Sequence, residues 1–306
     1  MRSRSDLDRS PGAGRRRRLC AAAVSAGMAA GALVSLPVGD ASAAAGIQQR
    51  VAVPAYFNPG DGNLWAQLSS SAPGAGLAVA NPQTGPGDSK DTGYANAIKA
   101  AHNAGTKVVG YVDSGYLGTK GWTAPDGGTS IDDWVDGAER NIDKWYSYYG
   151  GSGLDGIFFD DGLTACGTPS DANAYVDAYK RLRSYVKGKD AGAEVVANPG
   201  ASPEECYTQA ADTLVTFEGT YDDYVNHYGD DRESWEATAD PSKIWHLIHT
   251  TGSQARMQNA IALSKQRNAG YVYATDDDNS HAPGQEWGNP WDTLPSYWSA
   301  EVNTVG

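Results

Sequence analysis

From residue 51 to the C-terminus, short, mostly apolar runs alternate with longer stretches of helical periodicity. The runs occupy residues 51–57, 76–80, 107–112, 156–159, 194–197, 214–217, 243–248 and 270–274. They do not alternate apolar with polar residues, which predicts strands covered on both faces. Between them, Tyr94, Ala97, Ile98 and Ala101 share one helical face, and Gly105 stops it. Ile131, Trp134, Val135, Ala138, Ile142, Trp145 and Tyr149 hold helical spacing, behind a Ser130/Asp133 pair that resembles a capping box. Tyr175, Ala178, Leu182, Tyr185 and Val186 form a third stripe, ended by Gly188. Met257, Ala260, Ile261 and Ser264 form a fourth, ended by Gly270. The aromatic residues in these stripes are expected in the core.

Eight strands alternating with helices predict an α/β fold, a (β/α)8 TIM barrel in a single domain. An open doubly wound sheet is the competitor, but no G-x-G-x-x-G or P-loop follows any strand. A barrel places its chemistry at the C-terminal ends of the strands. Those ends read Tyr56-Phe57-Asn58-Pro59, Asn81-Pro82, Tyr111-Val112-Asp113-Ser114, Asp160-Asp161, Asn198-Pro199, Glu218, His249-Thr250-Thr251 and Tyr273-Ala274-Thr275-Asp276. Nearly every strand thus delivers a polar group, and the opposite ends show little pattern.

Asp160-Asp161 and Glu218 stand out, because an unpaired carboxylate at the end of a buried strand is costly. Two acids on one barrel rim are the minimum equipment for glycoside hydrolysis. Asn58, Asn81 and Asn198 each precede proline, so turn formation explains them as well as sugar contact does. Asp113 could bind sugar or cap its loop. His249 could touch substrate or be held by hydrogen bonds within the fold. Asp155, before strand four, reads as a turn residue on the opposite rim.

The N-terminus changes the picture of the whole chain. Arg15 to Arg18 precede an apolar, alanine-rich segment, and Ala41-Ser42-Ala43 matches a signal-peptidase site. Residues 1–43 are expected to be a secretory signal, with the twin-arginine route open to it, leaving 44–306 as the catalytic domain. That segment holds seven of the 24 Lys+Arg and three of the 37 Asp+Glu, so the remainder has 17 against 34, a charge of −17. Such a surface repels nucleic acid and anionic lipid; neither is expected as a partner, and a monomer is expected. Two cysteines remain, Cys166 and Cys206, each a few residues past a strand end. In an exported chain they are expected to form a disulfide between adjacent loops.

Metal-dependent and serine-nucleophile chemistry find little footing. The Asp276-Asp277-Asp278-Asn279 run lacks the alternate spacing and the glycine of a calcium loop, and H-E-x-x-H and G-x-S-x-G are absent. No cofactor and no metal are expected.

Taken in order, Val53-Pro54-Ala55-Tyr56-Phe57-Asn58-Pro59, Gly110-Tyr111-Val112, Leu154-Asp155-Gly156-Ile157-Phe158-Phe159-Asp160-Asp161, Ala197-Asn198-Pro199-Gly200 and Phe217-Glu218-Gly219 resemble spherulation-specific family 4, the spherulin-4-like proteins. The resemblance implies a (β/α)8 glycoside hydrolase acting on α-1,4-linked galactosamine or N-acetylgalactosamine polymers. It implies functional acids at Asp160, Asp161 and Glu218. The acidic pair is often Asp-Glu in relatives and is Asp-Asp here.

The resulting expectation is a secreted, extracellular, retaining hydrolase that cuts inside its polymer. Asp160 would be the nucleophile, Glu218 the general acid/base, and Asp161 a helper that supplies like charge or holds the sugar nitrogen. Tyr56, Tyr111, Trp122, Tyr221 and Tyr273 are candidate surface platforms for sugar. Asn58, Asn81, Asp113, Asn198, His249 and Asp276 are candidate hydrogen-bonding contacts. A cationic amino-sugar polymer would suit the acidic surface. The rivals are a carbohydrate-binding cell-surface or spore-associated protein that cleaves nothing, and a polysaccharide deacetylase.

Overall fold

The structure is a computed structural model, and it describes residues 48–280 and 288–306. The expected signal segment lies outside the described residues. Eight parallel strands close into a barrel in chain order: β1 (Arg50–Ala55), β2 (Ala75–Ala80), β3 (Lys107–Asp113), β4 (Gly156–Asp160), β5 (Glu194–Ala197), β6 (Thr213–Thr220), β7 (Ile244–His249) and β8 (Tyr271–Ala274). The helices are α1 (Leu64–Ser70), α2 (Thr92–Ala104), α3 (Ile131–Tyr149), α4 (Ala174–Lys189), α5 (Tyr221–Asn226), α6 (Tyr228–Asp231), α7 (Gln254–Gln266) and α8 (Trp298–Val305). The single-domain (β/α)8 expectation holds, and all eight strand positions match. The main difference is β6, which runs on to Thr220, so Glu218 lies within the strand and not beyond it.

The helices form where the pattern placed them. At the start of α3, the Ser130 hydroxyl accepts from the Asp133 N–H (3.2 Å), and the Asp133 carboxylate accepts from the Ser130 N–H (2.9 Å), closing the capping box. The buried face of α3 packs on β3 so closely that a Cβ on Gly110 would lie 2.4 Å from the Trp145 ring. The indole N–H of Trp145 donates to the Tyr111 carbonyl (2.7 Å). Truncating so large a buried residue costs about 3–5 kcal/mol.

The barrel interior is filled by rings. Phe158 of β4 lies 6.2 Å from Tyr111 of β3 and 5.8 Å from Trp245 of β7, centroid to centroid. Residues two apart on a strand share a face. Asp113 and Asp160, two beyond Tyr111 and Phe158, therefore point to the same axis at the barrel's mouth. Asp155 sits at the other rim, as expected, where it accepts from the Val108 N–H (2.7 Å) and meets His102 Nδ1 (2.9 Å). Cys166 and Cys206 are bridged, with Cα atoms 6.1 Å apart, and tie the segment after β4 to the one after β5. Among the described residues no helix is long and apolar enough to cross a membrane.

Candidate active site

Three consecutive strands, β4, β5 and β6, converge on one buried amide. Asn198, just past β5, is 3 % exposed. Its Nδ2 donates to Asp160 Oδ1 (2.8 Å) and to Glu218 Oε2 (2.7 Å). Its Oδ1 accepts from the Gly200 N–H (2.9 Å), which fixes which end of the amide faces the acids. The Gly200 carbonyl in turn accepts from the Glu218 N–H (3.0 Å), and the Asn198 N–H donates to the Phe159 carbonyl (2.8 Å). Loop, amide and both acids are thereby held as one piece. Since both oxygens bond the same nitrogen, the two legs limit their separation to at most 5.5 Å.

Asp113 adds a third carboxyl, paired in register with Asp160 across β3 and β4. Burial pushes it up. The Gly115 N–H it accepts (2.7 Å) opposes this and the Asp160 charge adds to it, so it titrates at about 6. Asp161 follows with φ 52°, in the left-handed region that aspartate tolerates better than most residues. Its carbonyl accepts from the Tyr116 N–H (2.7 Å) and the Ser114 hydroxyl (3.1 Å). The turn at residues 115–118 is thus stitched to the end of β4. Tyr116 and Leu117 also have φ 50°, so backbone strain concentrates beside the acids.

The remaining candidates separate clearly. Tyr56 and Trp122 are half-buried and keep solvent-facing surface; Tyr56 meets the edge of Tyr111 (5.7 Å) and Trp122 the edge of Tyr116 (5.4 Å). Tyr111 (2 %), Tyr221 (9 %) and Tyr273 (0 %) are buried, which corrects the expectation that they are surface platforms. Tyr111 fills the barrel. Tyr221 lies under the Arg256 guanidinium (4.5 Å), and its hydroxyl accepts from Asn259 (2.8 Å). Tyr273 donates to the Thr293 carbonyl (3.1 Å).

Asn58 is exposed in a turn where its N–H donates to Asp61 (3.1 Å). Asn81 accepts from the Gly85 N–H (2.8 Å), a loop brace. Asp276 accepts from the Ser296 N–H (3.1 Å) and hydroxyl, tying β8 to the C-terminal segment. His249 packs edge-on to Trp291 and bonds Thr250 Oγ1 (2.8 Å). Burial lowers its pKa to about 4, outweighing Asp278, Asp223 and Asp277, so the ring is neutral at physiological pH.

The sequence pattern does not single out Ser114 and Tyr116, although the glycines at 115 and 118 signal an unusual turn there. By sequence, Asn198 carries no more weight than Asn58 or Asn81, because all three precede proline.

Known proteins fit this picture. The model of spherulation-specific family 4 matches residues 50–305. Among solved structures, Sph3 from Aspergillus clavatus, in complex with GalNAc, superposes with a TM-score of 0.62 at 22 % identity, covering 84 % of this chain and 97 % of that one. An endo-β-N-acetylglucosaminidase from Cordyceps militaris gives a TM-score of 0.50 at 14 % identity, covering 84 % and 92 %. At these identities the likeness establishes a shared fold. No match was found among curated proteins.

Proposed function

Because the chain belongs to spherulation-specific family 4, we propose that it is a secreted glycoside hydrolase that cleaves an α-linked galactosamine- or N-acetylgalactosamine-type polysaccharide inside the chain, with retention of configuration. One observation carries this reading. Asp160 and Glu218 share the Asn198 amide and so stand at most 5.5 Å apart. Retaining enzymes hold their carboxyls about 5–5.5 Å apart, while inverting ones need roughly 6.5–9.5 Å to admit a water. The GalNAc held by Sph3 supports the sugar class.

In the proposed first step, an Asp160 oxygen attacks the anomeric carbon while Glu218 gives its proton to the glycosidic oxygen. The bond to the leaving sugar breaks, and that sugar departs as an alcohol. In the second step Glu218 takes a proton from water, the water oxygen attacks the same carbon, and the Asp160 carboxylate is released. Asn198 keeps both acids in register and offers N–H groups to charge moving between them. Asp113 and Asp161 add negative charge to the mouth, which suits a substrate carrying free amines.

The test is the anomer first released from an α-1,4-linked galactosamine polymer, read by proton NMR, beside a reducing-end assay on α- and β-linked amino-sugar polymers. Release of the α-anomer supports retention, and release of the β-anomer overturns it. No reducing ends from any of the polymers would favour the carbohydrate-binding alternative. A fast fall in viscosity relative to reducing ends supports cutting within the chain. Rates on the cationic polymer should fall with added salt.

A further inference from the structure

Strand β6 contains an irregularity immediately before Glu218. Its register with β7 runs Leu214 opposite Ile244 and Val215 opposite Trp245, then jumps to Phe217 opposite His246 and Glu218 opposite Leu247. Thr216 is the extra residue, as in a β-bulge.

The contacts show what the bulge does to side-chain direction. Trp245 faces the barrel axis, against Phe158. His246 faces the outer helices, where its ring nitrogens meet Tyr224 of α5 (2.8 Å) and Tyr228 of α6 (3.0 Å). Thr216 also faces outward, with Oγ1 2.7 Å from the Tyr228 hydroxyl. Phe217 does the same, its ring 4.8 Å from both Tyr224 and Tyr228. Two successive residues thus point to the helices, and Glu218 points inward to Asn198. In a regular strand faces alternate, so with Thr216 outward Phe217 would enter the barrel and Glu218 would face the helices.

We propose that this bulge, pinned by the hydrogen bond between Thr216 and Tyr228, is what aims Glu218 into the site, and that Thr216 and Tyr228 are positioning residues for it. The functional part rests on the reading of Glu218 as a catalytic acid; the geometric part does not.

The pin is itself fixed from behind. The Tyr228 hydroxyl donates its one hydrogen to Glu236 Oε2 (2.8 Å), so its oxygen must accept from Thr216 and from His246 Nε2. That places the His246 proton on Nε2, and Nδ1 accepts from the Tyr224 hydroxyl. Glu236 also receives Arg232 (3.1 Å) and the Ser202 hydroxyl, and Ser202 lies four residues past Asn198. The same hub therefore anchors the loop carrying Asn198 and the bulge carrying Glu218. His246 is buried, and burial with Arg232 and Arg267 nearby holds it well below its ordinary pKa, so the chain keeps this proton order across the physiological range.

Thr216→Val removes the hydroxyl and keeps the β-branched shape, and Tyr228 keeps its bond to Glu236. Thr216→Ser should restore the pin. On the galactosamine polymer, kcat of Thr216→Val should fall about 10- to 100-fold with KM within twofold, while Thr216→Ser stays within about threefold of wild type. A crystal structure of Thr216→Val should show the Glu218 carboxylate displaced from Asn198. Wild-type kcat in a folded Thr216→Val protein, or Glu218 still on Asn198, overturns the proposal. Equal loss in the Val and Ser variants also overturns it, since a mere packing defect would behave that way. Glu218→Gln separates the two readings. If it remains fully active, the acid assignment fails, and the displaced carboxylate still decides the geometric part.

Discussion

At the N-terminal ends of the middle strands, acids are met by basic side chains. Asp155 bonds His102 (2.9 Å), Glu194 bonds Lys107 (2.7 Å), and Asp212 bonds Arg183 and Lys187 (2.7 Å each). At the C-terminal ends of the same strands, acids are gathered against one another around an amide. Asp113 neighbours Asp160, and Asp160 and Glu218 share Asn198. The two rims treat the same chemical group oppositely. Burial pushes Asp212 up, but Lys187, Arg183 and the Val195 N–H outweigh it and hold the carboxyl below its usual range. Burial pushes Asp113 up, and the crowding adds to it. One rim uses carboxylates to join loops to strands. The other gives up stability to keep carboxylates close, which is where function is expected.

The contrast breaks most visibly in activity. Asp160→Ala should abolish polymer turnover, because nothing replaces the proposed nucleophile. Glu218→Ala should lower it by about 10²–10⁴-fold, with azide restoring the second step. Neither should lower the melting temperature by more than a few degrees. Glu194→Gln at the other rim should do the reverse, costing stability and leaving kcat within a few fold. Near-wild-type turnover by Asp160→Asn would remove Asp160 from the mechanism, and a Glu194→Gln protein as inactive as Asp160→Ala would erase the distinction between the rims.

The amide between the acids comes next. Asn198→Ala should cut kcat by about 10²-fold, since two carboxylates lose their shared donor and their spacing. Asn198→Asp should be worse, because it places a third carboxylate within bonding distance of two others. If Asn198→Ala is as active as wild type, the shared amide is packing and does not position the acids.

The strands, the helix faces and the placing of Asp160 and Glu218 on one rim are legible in the sequence, because burial on both faces leaves short, mostly apolar runs and a charge beside such a run has few structural excuses. Asn198 is visible there only as one of three asparagines before proline. Asn81 has a local partner in the Gly85 N–H and Asn58 is exposed in its turn, and only the third dimension gives Asn198 two acids to bridge. The bulge leaves a fainter trace: Thr216 is a lone polar residue inside the apolar run 214–217. Nothing local says that it displaces the register, since its partner Tyr228 is supplied by α6. The buried tyrosines fail as surface platforms for a related reason. Tyr111 and Tyr273 lie one or two residues before the ends of strands whose inward faces fill the barrel, and strand position alone does not say how high the filling reaches.

Stability against pH separates the rims more gently. Asp212 has a depressed folded pKa, so its contribution is present above the unfolded value near 3.8 and is lost as pH falls through the folded one. Asp212→Asn should therefore cost about 1–3 kcal/mol at pH 7 and progressively less on acidification. A loss that stays constant down to pH 2 would mean that shape, not charge, holds the Arg183 and Lys187 contacts.

The smallest effect, and the one of opposite sign, belongs to Asp113. Its folded pKa of about 6 lies above the ordinary aspartate value of 3.8. The folded state therefore holds this proton more tightly than the unfolded chain does. The associated stability is fully present below about 3.8 and is lost as pH rises to about 6. Asparagine has the same shape, can still accept the Gly115 N–H and carries no charge to desolvate beside Asp160. Asp113→Asn should thus stabilise the protein by about 1–2 kcal/mol at pH 7.5, raising the melting temperature by a few degrees, with the gain vanishing near pH 4. Thermal melts of the two proteins at pH 4, 6 and 7.5 read this directly. A variant less stable than wild type at pH 7.5, or a gain independent of pH, would show that Asp113 is held by its hydrogen bonds and not strained by its neighbours, and the difference between the two rims would then not extend to stability.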